Sequence, residues 1–232
     1  MALAKYGGGV IQLSGSIAGN TFARNRYGNY VRARTKPINP QTAFQTAVRS
    51  AIAELSARWS DTVTAAQRTG WNLYASSVAV LNKLGETVYL SGYNHYIRSN
   101  LILLQIGETV VDAPPTIFEI PEKDPTLAIT ASEATQQISV AFDNTMAWAN
   151  EDGGFLVKYQ GSPQNAQRNF FNGPWRMMGH IDGDAVTPPT SPDAEDVAFA
   201  IAEGQHLWVY ARILRADGRL SERFRADCFC AA

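Results

Sequence analysis

The chain has 232 residues, 45% of them hydrophobic and 18% charged, with a formal net charge of −1. That content supports a packed core and excludes wholesale disorder, and the longest apolar run, LILLQIG, is far short of the roughly 20 residues a membrane-spanning helix needs. The near-neutral total hides a polarity: residues 1–105 hold 11 Lys+Arg against 3 Asp+Glu, leaving 9 basic and 18 acidic residues after them.

Such an asymmetry marks two modules with different neighbours, or a basic half docking on an acidic one. The first residues, MALAKYGGGV, lack the apolar stretch of a secretory signal, so no export by a signal peptide is expected. Next comes a Gly-punctuated β ribbon with a tight turn at Tyr27-Gly28-Asn29. Its return strand, Tyr30 to Arg34, alternates arginine with apolar or small residues, which predicts one basic face. From Pro40 the period changes: Ala43, Phe44, Ala47, Val48, Ala51, Ile52 and Leu55 predict an amphipathic helix that Pro40 opens from its first turn and Trp59 closes. Thr64 followed by Gln67 is a capping-box signature for a second helix with Trp71, Tyr74, Ala75 and Val78 on its apolar face. A third helix is predicted from Ser91 to a stop at Gly107.

The proline-rich stretch after Gly107 reads as a linker. Beyond it, TLAITA, QQISVAFD, GFLVKYQ, WRMMGHI, VAFAIA, LWVYARILR and LSERFRADCFC read as seven short strands, the count of an antiparallel sandwich. Polar loops between Gly161 and Asp196 are where such a fold carries recognition. Cys228 and Cys230 would close a strained ring and read as free thiols.

Two resemblances follow from these segments. LWVYARILRADGRLSE, with its Asp217-Gly218 turn and Ser221, and QQISVAFDN, with Phe142 at a tryptophan position, resemble the fibronectin type III family. SGSIAGNTFARNRYGNYVRARTKPINPQT, AQRTGWNLYA and SGYNHYIRSN resemble an uncharacterised family of phage and prophage proteins over about residues 10–107. The expected fold class is α+β: an N-terminal β-hairpin with about three α-helices in residues 1–107, a linker at 108–120, and a seven-stranded antiparallel β-sandwich, fibronectin type III or immunoglobulin-like, in 121–232. The phage resemblance implies a virion component, made in the host cytoplasm, with other virion proteins and further copies of itself as partners.

No residue set predicts catalysis. His95, His180 and His206 are far apart and belong to no metal-binding array, and no nucleophile elbow, Walker or Rossmann fingerprint is present. Asp182, Asp184, Asp193 and Asp196 could offer oxygen ligands to calcium but lack an EF-hand register. The expectation is therefore no enzyme, no cofactor and no metal. The candidate docking residues are Arg24, Arg26, Tyr27, Tyr30, Arg32 and Arg34, where guanidinium groups stand beside aromatic rings. That pairing suits an acidic protein surface and, as a third reading, nucleic acid. The candidate recognition residues, for a host glycan or surface protein, are Asn169, Phe170, Phe171 and Trp175. Two consecutive phenylalanines on a strand cannot both point inward.

Overall fold

In the computed structural model, which describes residues 2–25, 28–82 and 84–232, three helices begin where a hydroxyl caps them. Helix α1 (Ala43–Asp61) starts at Thr42, whose side chain accepts from the Gln45 amide at 3.3 Å. The sequence places Pro40 in the first turn, but Gln41 stands at φ 48° and breaks the helical path between them. Helix α2 (Ala65–Ser77) carries the complete capping box: Gln67 N donates to the Thr64 hydroxyl, and Thr64 N donates to the Gln67 carboxamide at 2.8 Å. Helix α3 (Gly92–Ile106) is capped by Ser91 and ends at Gly107, whose φ of 85° is the left-handed conformation glycine adopts without strain.

Thirteen strands among the described residues, six before residue 120 and seven after it, lie in four antiparallel sheets, so the fold is mixed α+β and mostly β. Strands β1 (Ala2–Leu3), β2 (Gly15–Ile17), β3 (Asn20–Asn25) and β4 (Gly28–Ala33) form the first, in the order β1-β4-β3-β2. Asn25 pairs with Gly28, so Gly28 and Asn29 of the predicted turn belong to β4, while Arg26 and Tyr27 lie outside the described residues. A hairpin of β5 (Ala79–Leu81) and β6 (Thr87–Tyr89) links α2 to α3. Its turn is held by Asn82, whose side-chain oxygen accepts from the Leu84 and Glu86 amides.

The other two sheets follow residue 120. Strands β7 (Ala128–Ser132), β8 (Gln137–Ala141) and β11 (Asp193–Asp196) pair in the order β11-β8-β7. Strands β9 (Phe155–Gly161), β10 (Trp175–Asp182), β12 (His206–Leu214) and β13 (Phe224–Phe229) pair in the order β10-β9-β12-β13. The predicted strand VAFAIA does not form. Its backbone is satisfied by two glutamine side chains instead. Gln160 accepts from Phe199 N and donates to Phe199 O, and Gln136 does the same for Ile201. Hydrophobic alternation from Val197 to Ile201 is real, but past Val197, whose amide donates to the Gln136 carbonyl, its amides at Phe199 and Ile201 bond to side chains, and the strand itself forms just before it.

Strands β9 and β12 are buried along nearly their whole length because both faces of their sheet are covered. On the inner face one core joins Ile129, Ile138 and Val140 to Leu207 and Val209. A second joins Phe142 and Trp148 to Leu156 and Ile213. On the outer face Ile102 and Leu103 of α3 pack on Phe155, Val157, Leu214 and Leu220. The predicted linker is bound to the helices: Asp112 accepts two hydrogen bonds from Arg58 and one from the Tyr96 hydroxyl, and its carbonyl accepts from Trp71 Nε1 at 3.0 Å. The Arg58 guanidinium holds the Asp112 carboxyl below the usual carboxylate range.

Candidate interaction surfaces

The N-terminal sheet is the feature that the rest of the chain leaves uncovered. From residue 3 onward no described residue before Leu55 is buried. Ile11, Ile17 and Ile38 are 89%, 68% and 88% exposed, and Phe44 at the start of α1 is also exposed. Apolar side chains on a sheet normally face a second layer, and here the described residues leave β3 and β4 at most half-buried.

The register divides the predicted arginines. Arg24 lies opposite Asn29, two residues from the Phe22–Val31 pair, so Arg24, Phe22 and Val31 share one face. Arg32 lies opposite Thr21 and shares the other face with Tyr30 and Ala23. Arg34, whose amide donates to Gly19 O just past the strand, continues the Arg32 side. The single basic face is thus corrected. β4 places Tyr30, Arg32 and Arg34 together as the alternation demands, but cross-strand pairing puts β3's Arg24 behind them. Arg24, Arg32 and Arg34 are exposed and form no ion pair among the described residues.

The loop from Ser162 to Pro174 folds back over the outer face of the β10-β9-β12-β13 sheet. Phe171 is 1% exposed, stacked on Trp208 with ring centroids 5.6 Å apart and edge-on to Trp175 at 4.9 Å. Gly161 makes room for it, since a Cβ there would collide with the Phe171 ring. The expectation that Phe171 serves surface recognition is therefore overturned: it anchors the loop. Its neighbour Phe170 is 67% exposed, Asn169 is exposed and Trp175 half-buried. His206, unremarked in the sequence as an anchor, ties the loop to the sheet through the Arg168 carbonyl at 2.8 Å and to Asp227 at 2.8 Å. Arg225 Nη1 donates to Phe171 O.

Acidic groups between the sheets have structural partners. Lys158 is fully buried on the inner face of β9, and its ammonium group donates to Asp193 and, at 2.7 Å, to Glu195 of β11. Asp184 accepts from the Val186 and Thr187 amides, which lowers its pKa, and Asp182 lies 3.3 Å from His180. Asp196 accepts from Gln137. The four aspartates thus face separate partners, and no group of three or more His, Cys, Asp or Glu among the described residues is arranged to hold a metal ion. Cys228 and Cys230 are free thiols, and burial pushes Cys228 up to about 11.

No family model and no curated protein matches the chain. A solved structure of a family 76 glycoside hydrolase from a bovine Bacteroides thetaiotaomicron strain is similar at a TM-score of 0.32 and 16% identity, over 48% of this chain and 21% of that one. A likeness at that level bears on neither the fold nor the activity of this chain.

Proposed function

We propose that the chain is a non-enzymatic structural component of a bacteriophage particle. Its N-terminal sheet and α1 dock on neighbouring virion proteins and on further copies of itself. The module after residue 120, a fibronectin type III-like β-sandwich, projects from the assembly. The observation that carries this reading is the absence of any buried described residue between residue 3 and Leu55. Sheet and helix faces bearing Ile17, Phe22, Val31 and Phe44 gain their burial from another chain, as edge-exposed ribbons do when they add to a partner. Mass spectrometry of purified particles checks the proposal. The protein is expected at a stoichiometry matching the repeat of the particle, and its absence at structural copy number ends the reading.

A second reading rests on the exposed Phe170 beside Asn169 and Trp175. A planar ring and amide groups can stack on and hydrogen-bond to a host glycan. Glycan-array binding lost in Asn169→Ala, Phe170→Ala and Trp175→Ala together, with Phe171 left to hold the loop, supports it. Nucleic-acid binding by the ribbon is weakened by the division of its arginines between two faces. It predicts a steep salt dependence, about 0.9 log unit per phosphate contact on duplex DNA, and a flat response removes it.

A further inference from the structure

Where α3 meets the β12–β13 end of the outer sheet, three arginines converge on one cleft of about 450 Å³. Arg98 Nη2 donates to the Ser221 carbonyl at 3.4 Å, and Arg212 donates to the same oxygen from Nε at 3.2 Å and Nη2 at 3.0 Å. The third, Arg223, lies over the Tyr210 ring at 4.9 Å. One neutral oxygen is a poor match for two forked cations carrying five donors each. The nearest carboxylate, Glu222, is engaged at 2.8 Å with Lys123, and none of the three arginines forms an ion pair among the described residues. The rest of the lining is Glu222 itself and an apolar wall from Val80, Leu81 and Leu90.

Half-buried cations without an ion-pair partner, here Arg98 and Arg212, are costly, and proteins keep them where a ligand completes the charge balance. A guanidinium fork matches the oxygens of carboxylate and phosphate alike. Three positive charges against one lining carboxylate, Glu222, which is itself paired with Lys123, favour a group carrying about two negative charges and three acceptor oxygens, as a phosphate monoester does near neutral pH. The apolar wall and the volume leave room for an organic substituent. We infer that this cleft binds an organic phosphate monoester, its phosphoryl oxygens on Arg98, Arg212 and Arg223 and its apolar part against Val80, Leu81 and Leu90. The electrostatics agree. Burial first, then Arg98 and Arg223, draws Arg212 down to about 9, and burial likewise lowers Arg98, a strain that a bound dianion relieves.

Calorimetric titration of the full chain tests this with three probes at matched ionic strength: phenyl phosphate, inorganic phosphate and benzoate. Saturable binding at one site is expected for both phosphates, tighter for phenyl phosphate. Arg212→Gln and Arg223→Gln should each weaken it about tenfold or more, the scale of one charge-assisted contact, while Arg24→Gln on the ribbon leaves it unchanged. Arg223 is exposed and its replacement spares the core, so that variant decides the matter if Arg212→Gln does not fold. The inference is overturned if neither phosphate saturates, if benzoate binds as tightly as phenyl phosphate, or if phenyl phosphate gains nothing over inorganic phosphate. Equal weakening by Arg24→Gln, or full binding in Arg223→Gln, overturns it as well.

Discussion

Two four-stranded antiparallel sheets in this chain meet opposite fates. In β10-β9-β12-β13, every residue of β12 except Arg212 is buried, between a three-stranded sheet on one side and α3 with the 162–174 loop on the other. In β1-β4-β3-β2, no residue whose side chain is described is more than half-buried. Both satisfy their ladders. The difference is the second layer, and it teaches that paired strands alone are not a stabilising unit. Burial of apolar area at about 25 cal/mol per Å² is what holds a sheet in place, and the first sheet does not obtain it from its own chain.

The sharpest way to break that comparison is to truncate one side chain packed against the covered sheet's β12–β13 turn and one in the ribbon. Trp71 is fully buried, edge-on to Tyr74 and Tyr96, and lies against the tip of the β12–β13 hairpin at Gly218. Trp71→Ala is expected to cost ~3–5 kcal/mol in urea denaturation, enough to unfold a marginal domain. Phe22→Ala in the ribbon should cost about 1 kcal/mol or less in the isolated chain. Equal losses would mean that the ribbon is covered by its own chain and that the contrast is wrong.

Next in size is Lys158. Its stem crosses the inner core and its ammonium group meets Asp193 and Glu195, which are each about a third exposed. Lys158→Met keeps the stem but leaves the two carboxylates facing each other, and is expected to cost about 3 kcal/mol at neutral pH. Because the carboxylates then repel, part of the loss should return when Lys158→Met is combined with Asp193→Asn and Glu195→Gln. No recovery in the combined variant would show that water, not the lysine, was neutralising them.

His95 gives a smaller effect confined to acid. Its ring is buried edge-on against Tyr74, its Nε2 has no partner among the described residues, and Arg98 stands nearby. Burial first, then Arg98, lowers it to about 4 from an ordinary value near 6.5. The unfolded chain therefore binds a proton that the folded chain refuses, so its contribution is complete above pH 6.5 and declines as pH falls toward 4. The loss amounts to at most about 3 kcal/mol. His95→Gln should flatten the urea-midpoint curve across that window. An unchanged slope would place the proton elsewhere.

The same contrast explains what was legible in the sequence. Helix boundaries were, because caps are local: Thr64 with Gln67, Ser91 and Gly107 act within one turn of themselves. Pro40 misled by two residues because Gln41 takes a left-handed φ that no neighbouring residue signals. VAFAIA has the alternation of a strand, but Gln136 and Gln160, distant in sequence, take its hydrogen bonds. In the loop, the Phe170-Phe171 pair announced that one ring would turn out. Which one depended on Gly161 leaving space beneath Phe171. The cluster of Arg98, Arg212 and Arg223 was invisible, since α3 and β12 meet only in the folded chain.

The smallest expected effect on stability belongs to the ribbon arginines, and it carries the most about assembly. All that alternation along β4 could reveal was Arg32 and Arg34 on one side. The register adds that Arg24 stands with Phe22 and Val31, and pairing of Gly15 with Phe22 and Ile17 with Asn20 brings Ile17 to that same face. An apolar patch rimmed by one cation is the composition of an interface core and its polar border, whereas the other face carries Tyr30 with both Arg32 and Arg34. Arg24→Glu should therefore abolish incorporation into particles or oligomers while moving the urea midpoint of the isolated chain by less than about 0.5 kcal/mol. Arg32→Glu should leave incorporation largely intact. Loss in both would mean that the sheet is clamped between two partners. Loss in Arg32→Glu alone would turn the ribbon over and place its apolar face against this chain's own partner in some other state of assembly.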